Sequence, residues 1–200
     1  GLLKSGNVKM VAMTHISNAL GTINPIKEFA KMAHEAGAHF LVDAAQSVAH
    51  TRLDVEKLDV DFLVFGAHKM FGPTGVGILW GREELLNQMP PYRSGGAMIK
   101  EVTLEKTTYN DLPEKFEAGT PHIAGVNCLK SAIDFMNSVG YDFIAQHESE
   151  LLSYAETELR KIEGLRIIGE ADNKASVISF VIEGTHPHDL GMILDEQGVA

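Results

Sequence analysis

Within Asp61–Gly77, DFLVFGAHKMFGPTGVG, a lysine stands in unusual company. The run Phe62-Leu63-Val64-Phe65 is short, apolar and rich in aromatic and branched residues, as in a strand buried on both faces. Gly66 ends it, His68 and Lys69 follow side by side, and Gly72, Pro73, Gly75 and Gly77 crowd the next stretch, where a second apolar run begins at Val76. Burial at the mouth of such a strand would disfavour the charged ammonium, and a neutral amine can attack a carbonyl. The same residues also read as a surface lysine in a turn.

A second stretch bears on that choice. His39-Phe40-Leu41-Val42-Asp43 is another apolar run, closed by an aspartate and followed by Ala44-Ala45-Gln46. Open α/β sheets bind ligands beyond the carboxyl ends of their strands. If the two strands are parallel, Asp43 and Lys69 share that edge. One could hold a protonated ring nitrogen while the other forms an imine, which is the pairing pyridoxal phosphate (PLP) requires.

The surrounding pattern supplies elements to position the pair. Val8–Thr14 reads as a strand entering a polar loop, His15-Ile16-Ser17-Asn18. Gly21 and Pro25 lead into a helix with an apolar stripe from Ile26 through Phe29, Ala30, Ala33 and Ala36, stopped by Gly37. With the strand at His39–Asp43 this makes a βαβ unit. Arg82–Gln88 predicts a short helix, and Tyr92–Asn110 a long irregular stretch. A tight turn at Phe116–Pro121 precedes a helix with the stripe Leu129, Ala132, Ile133, Met136 and Val139. A helix over 143–162, strands at 165–168 and 176–182, and a helix over 189–197 complete the chain. The change from βαβ to helix–strand–strand–helix places a domain boundary near residue 141.

The 200 residues carry a formal net charge of −10, which argues against nucleic-acid and anionic-membrane partners. The single cysteine, Cys128, allows no internal disulfide, and it reads as a small core residue on a helix. With no signal-like start and no long apolar span, a cytoplasmic location is the default expectation. Both ends read as cuts through a longer protein. His186-Pro187-His188 has no cysteine nearby and does not make a zinc site, so no metal is expected. The glycine-rich 72–77 stretch lacks the Gly-Lys-Ser/Thr of a phosphate-binding P-loop. It reads instead as the turn that lets backbone pack beside Lys69. The acidic residues of 148–163 read as a solvated helix face.

Taken together, THISNALGTINP, LVDAAQSVAH, GAHKMFGPTGVGILWG and KFEAGTPH resemble, in this order, the cysteine desulfurases of the SufS group, within the class V aminotransferase family of fold-type I PLP enzymes. The resemblance covers essentially the whole chain. It implies an α/β fold in which residues 1–140 are part of the large, mostly parallel sheet domain. Residues 141–200 would then begin a smaller α+β C-terminal domain. Position by position, Lys69 resembles the lysine that carries PLP and Asp43 the partner of the pyridinium nitrogen. Gln46 resembles the donor to the phenolic oxygen, and His68 a phosphate contact. Thr120 resembles a threonine reaching the phosphate held by the neighbouring subunit of a homodimer. Asn18 resembles a contact to the substrate carboxylate and the phenolic side of the ring. Gly66 departs from the pattern, since family members commonly carry a serine there.

The activity implied is conversion of L-cysteine to L-alanine, with sulfur leaving as an enzyme persulfide toward an acceptor protein of iron–sulfur cluster assembly. The nucleophilic cysteine and the arginine that grips the substrate carboxylate are expected outside these residues, and Cys128 is not that nucleophile. An isolated piece of this length is expected to be inactive, a folded fragment without catalysis. L-Selenocysteine lyase activity uses the same groups, and kynureninase-like or epimerase-like relatives are further alternatives.

Overall fold

The computed structural model describes residues 2–199. Four strands, β1 (Met10–Thr14), β2 (His39–Asp43), β3 (Phe62–Gly66) and β4 (Gly77–Gly81), form one sheet in that order. β1, β2 and β3 run parallel, and β4 returns antiparallel to β3. The βαβ unit is present: α1 (Ile26–Glu35) connects β1 to β2. Pro25 precedes its first turn, and Gly37, at φ +73°, terminates it in a conformation that costs glycine little. Its buried residues are Ile26, Ala30 and Ala33, and the two alanines let the helix approach the sheet closely.

The register separates the two faces of the sheet. Phe40, Val42 and Leu63 are buried in the core with Ile26, Ala30, Ala33 and Met136, and Val11, Met13, Phe65 and Trp80 pack against them. The other face carries Met10, Ala12, Thr14, Leu41, Asp43, Val64 and Leu79, with Met10 and Leu79 each about half exposed. Thus β2 alternates between faces, and only the start of β3, Phe62 and Leu63, is buried on both.

α2 (Val55–Leu58) joins β2 to β3 and is capped by Asp54, whose side chain accepts the Lys57 N–H at 3.1 Å. α3 (Glu83–Gln88) follows β4. The stretch expected to be irregular contains a two-stranded ladder, β5 (Ile99–Val102) and β6 (Thr107–Tyr109). Thr103 Oγ1 organises its turn by accepting the N–H groups of Glu105 and Lys106. α4 (Ile123–Val139) and α5 (Tyr141–Leu159) meet at Gly140, φ +89°. β7 (Leu165–Ile168) and β8 (Ser179–Ile182) pair antiparallel, and α6 (Pro187–Glu196) follows. His186 caps α6, its Nδ1 accepting the His188 N–H at 3.2 Å.

Two expectations change. Cys128 is exposed on α4 rather than packed in the core, although it follows Gly125 by three residues and precedes Ala132 by four, both of them buried. The acidic face of α5 is not purely solvated: Glu148 pairs with His50, and Glu156 with Lys174, whose side chain is only 6 % exposed. Among the described residues, no helix is long and apolar enough to cross a membrane.

Candidate active site

Thr14, Asp43, Val64 and Leu79 lie in one register row across all four strands, on the open face of the sheet. Asp43 closes β2 with an exposed carboxylate, and its Oδ1 accepts the Ala45 N–H at 2.9 Å. That bond is the short-range turn preference of an aspartate at a strand end. Two residues beyond Val64 and Leu79, the same face meets Gly66 opposite Gly77. Neither glycine adds a side chain there, and the His68 ring lies over Gly66, with Cε1 and Nδ1 3.1 Å from where a Cβ would stand.

Lys69 leaves β3 through one 3-10 turn, Ala67–Lys69. Because β2 and β3 are parallel neighbours, Asp43 and Lys69 emerge at the same edge of the sheet. The turn is fastened by Ala67, which is fully buried. Its N–H donates to Val76 C=O at 2.9 Å, and its C=O accepts the Met70 and Gly72 N–H groups at 3.0 Å. A Cβ on Gly72 would stand 2.8 Å from that same oxygen, so glycine is what lets the loop close behind the lysine. Lys69 and His68 are both exposed, so the burial argued from sequence is not supplied by the described residues.

The other predicted positions surround this edge to different degrees. Gln46 is half-buried in the turn directly after Asp43. Asn18 is exposed on the loop after β1, where the His15 N–H donates to Asp43 C=O at 2.9 Å. Thr120 is exposed on the loop before α4, next to Gly119 at φ +85°. That loop lies near the glycine-rich stretch, since the His122 ring stands 3.8 Å from where a Cβ on Gly75 would be. The structure therefore brings Asp43, Gln46, His68 and Lys69 to one rim and leaves Thr120 on a separate loop. Among the described residues, the side chains of Asn18, Gln46, His68, Lys69 and Thr120 make no hydrogen bond within the chain.

His15 heads the loop at this edge, and three features around it were not legible in the sequence. His15 Nδ1 is buried with no partner, and burial lowers the imidazole's pKa, which favours the neutral ring. His15, His50, Thr51, Glu148 and Lys174 line a cavity of about 340 Å³. Tyr141, from α5, donates its hydroxyl to Val48 C=O at 3.1 Å, and burial raises that phenol's pKa against the opposing pull of Arg52. The sequence carries no signal for contacts between segments so far apart, although His15 was visible as a polar residue at a strand end.

The family model described as aminotransferase class-V matches residues 2–200. A probable cysteine desulfurase of Xylella fastidiosa strain 9a5c is 48% identical over 198 residues, covering 99% of this chain and 48% of the relative. The crystal structure of a cysteine desulfurase from Escherichia coli superposes with a TM-score of 0.89 at 36% identity, covering 98% of this chain and 48% of that one. The apo cysteine desulfurase of Thermococcus onnurineus NA1 gives 0.91 at 38% identity, covering 98% and 51%. The chain spans about half the length of these curated relatives. It belongs to the class V aminotransferase family.

Proposed function

We propose that the protein carrying this chain is a PLP-dependent cysteine desulfurase that converts L-cysteine to L-alanine and passes the sulfur on as a persulfide. Iron–sulfur cluster assembly through an acceptor protein, the SufS subgroup and a homodimer complete the reading. The observation that carries it is the common edge of Asp43 and Lys69 on neighbouring parallel strands. The relatives named as cysteine desulfurases support it.

The residues present fit the cofactor by their chemistry. Gly66 and Gly77 put no Cβ on the face beside the exposed Asp43 carboxylate, the His68 imidazole lies over Gly66, and Lys69 follows on the turn at the same rim. PLP supplies, when bound, an electron sink for bond breaking at the substrate's α-carbon. Asp43 would hold the ring N–H as its hydrogen-bonded counter-ion. Lys69 would anchor the cofactor covalently and then, once displaced, move the proton at the α-carbon. Gln46 would donate its amide N–H to the phenolic oxygen, His68 and Thr120 would contact the phosphate, and Asn18 would orient the substrate carboxylate. Cys128, on the exposed side of α4, is given no part in sulfur transfer.

Alanine release from L-cysteine by the protein, lost in Lys69→Ala, tests this function. PLP binding without alanine release from cysteine would contradict the substrate assignment.

A further inference from the structure

The turn Ala44–Thr51 starts directly after Asp43 and carries Gln46. Its backbone coils on itself: Ser47 and Val48 N–H donate to Ala44 C=O at 2.9 and 3.1 Å. His50 and Thr51 N–H donate to Ser47 C=O at 3.0 and 2.9 Å. At its near end, Ala44 N–H donates to Val64 C=O at 2.8 Å and ties the turn to the sheet. Ser47 Oγ is buried without a partner, so this side chain does not anchor the far end.

Helix α5 does. Tyr141 Oη reaches Val48 C=O at 3.1 Å across 93 residues of sequence. His50 Nδ1 lies 2.8 and 2.9 Å from the two Glu148 carboxylate oxygens, across 98 residues. The Arg52 guanidinium stands 5.6 Å above the Tyr141 ring. Tyr141 and Glu148 are two turns apart on one helix and share a face. Their contacts fall two and four residues beyond Gln46, on the same turn. Hydrogen-bond strength falls off within a few tenths of an ångström and tens of degrees, so a loose turn would blunt any donor on it.

We propose that Tyr141 and Glu148 are positioning residues. From α5 they fix the Ala44–Thr51 turn through Val48 C=O and His50, and so hold Gln46 in a single geometry toward PLP. This rests on the cofactor role proposed above for Gln46. The ties sit at the exit of the very turn that follows Asp43, so side-chain hydrogen bonds join α5 to that sheet edge.

The test uses Tyr141→Phe and Glu148→Gln, each alone and combined with Gln46→Ala, in the full-length protein that carries this chain. Tyr141→Phe keeps the ring under Arg52, and Glu148→Gln keeps the shape, so both retain the packing. In each single variant, amide exchange at His50 and Thr51 is expected to speed up by about threefold or more, with β2 and β3 amides unchanged. The dissociation constant for PLP is expected to rise by about three- to tenfold, the range of one lost hydrogen bond. The visible band of bound PLP should shift as it does in Gln46→Ala. In the Gln46→Ala background the affinity loss should shrink to below about twofold, because coupled residues are non-additive. Unchanged exchange, or an affinity loss equally large without Gln46, overturns the proposal. A wild-type chain that shows no visible band with PLP contradicts the cofactor reading instead, and the exchange result still decides whether α5 fixes the turn.

Discussion

Asp61 Oδ2 accepts the Phe40 N–H at 2.7 Å, so the start of β3 and the start of β2 share a buried carboxylate at the sheet edge opposite Asp43. His34 Nε2 lies 2.8 Å from the same oxygen, and Arg82 Nε donates to the other at 3.0 Å. Burial pushes this carboxyl up, but the Phe40 N–H, His34 and Arg82 outweigh it and hold the pKa below the ordinary value. A depressed folded pKa means that the stabilisation is present above the unfolded value of about 3.9 and is lost as pH falls through the folded value. Urea midpoints should therefore drop as pH is lowered from about 5 toward 3, and this slope should flatten in Asp61→Asn. At pH 7 that variant should lose about 2–3 kcal/mol, because the buried Phe40 N–H and the part-buried His34 and Arg82 lose a charged acceptor. An Asp61→Asn chain as stable as wild type at pH 7 would contradict the assignment.

Gly72 limits the turn that carries Lys69. A Cβ there meets Ala67 C=O at 2.8 Å, a backbone atom that cannot rotate away. Gly72→Ala should cost about 1–3 kcal/mol, as overpacking does. It should also lower PLP affinity more than an exposed substitution such as Lys57→Ala on α2. Equal effects of the two substitutions on affinity would show that the turn tolerates the methyl group.

The sheet and the common edge were legible because their signals are local. Ile26, Ala30 and Ala33 recur at helical spacing, and the runs 39–43 and 62–65 end in residues that close a strand. The order strand, helix, strand, strand then placed Asp43 and Lys69 together. The β5–β6 ladder was not legible, since Thr107–Tyr109 is too short and too exposed to show alternation. The exposure of Lys69 was hidden for another reason: a glycine cluster permits a buried or an open mouth equally. The ties of His50 to Glu148 and of Val48 to Tyr141 join residues whose proximity arises only once α5 has docked.

Gly66 stands where relatives are expected to carry serine. Its φ of −107° suits any residue, so backbone strain does not require the glycine. A Cβ there would lie 3.1 Å from Cε1 and Nδ1 of His68, whose exposed ring has room to give way. Gly66→Ser should raise PLP affinity by up to about tenfold through one added hydroxyl donor to the phosphate. A titration followed by absorbance checks this, and unchanged affinity would count against phosphate binding at this turn.

The central claim is that one amine and one carboxylate at a shared sheet edge hold one small ring. Borohydride reduction of the chain in the presence of PLP, followed by peptide mass mapping, measures it most directly. The predicted result is a single pyridoxyl phosphate adduct on Lys69, absent in Lys69→Ala, with PLP affinity at least about tenfold weaker in Asp43→Asn. Labelling spread over other lysines, or undiminished in Lys69→Ala, would contradict it.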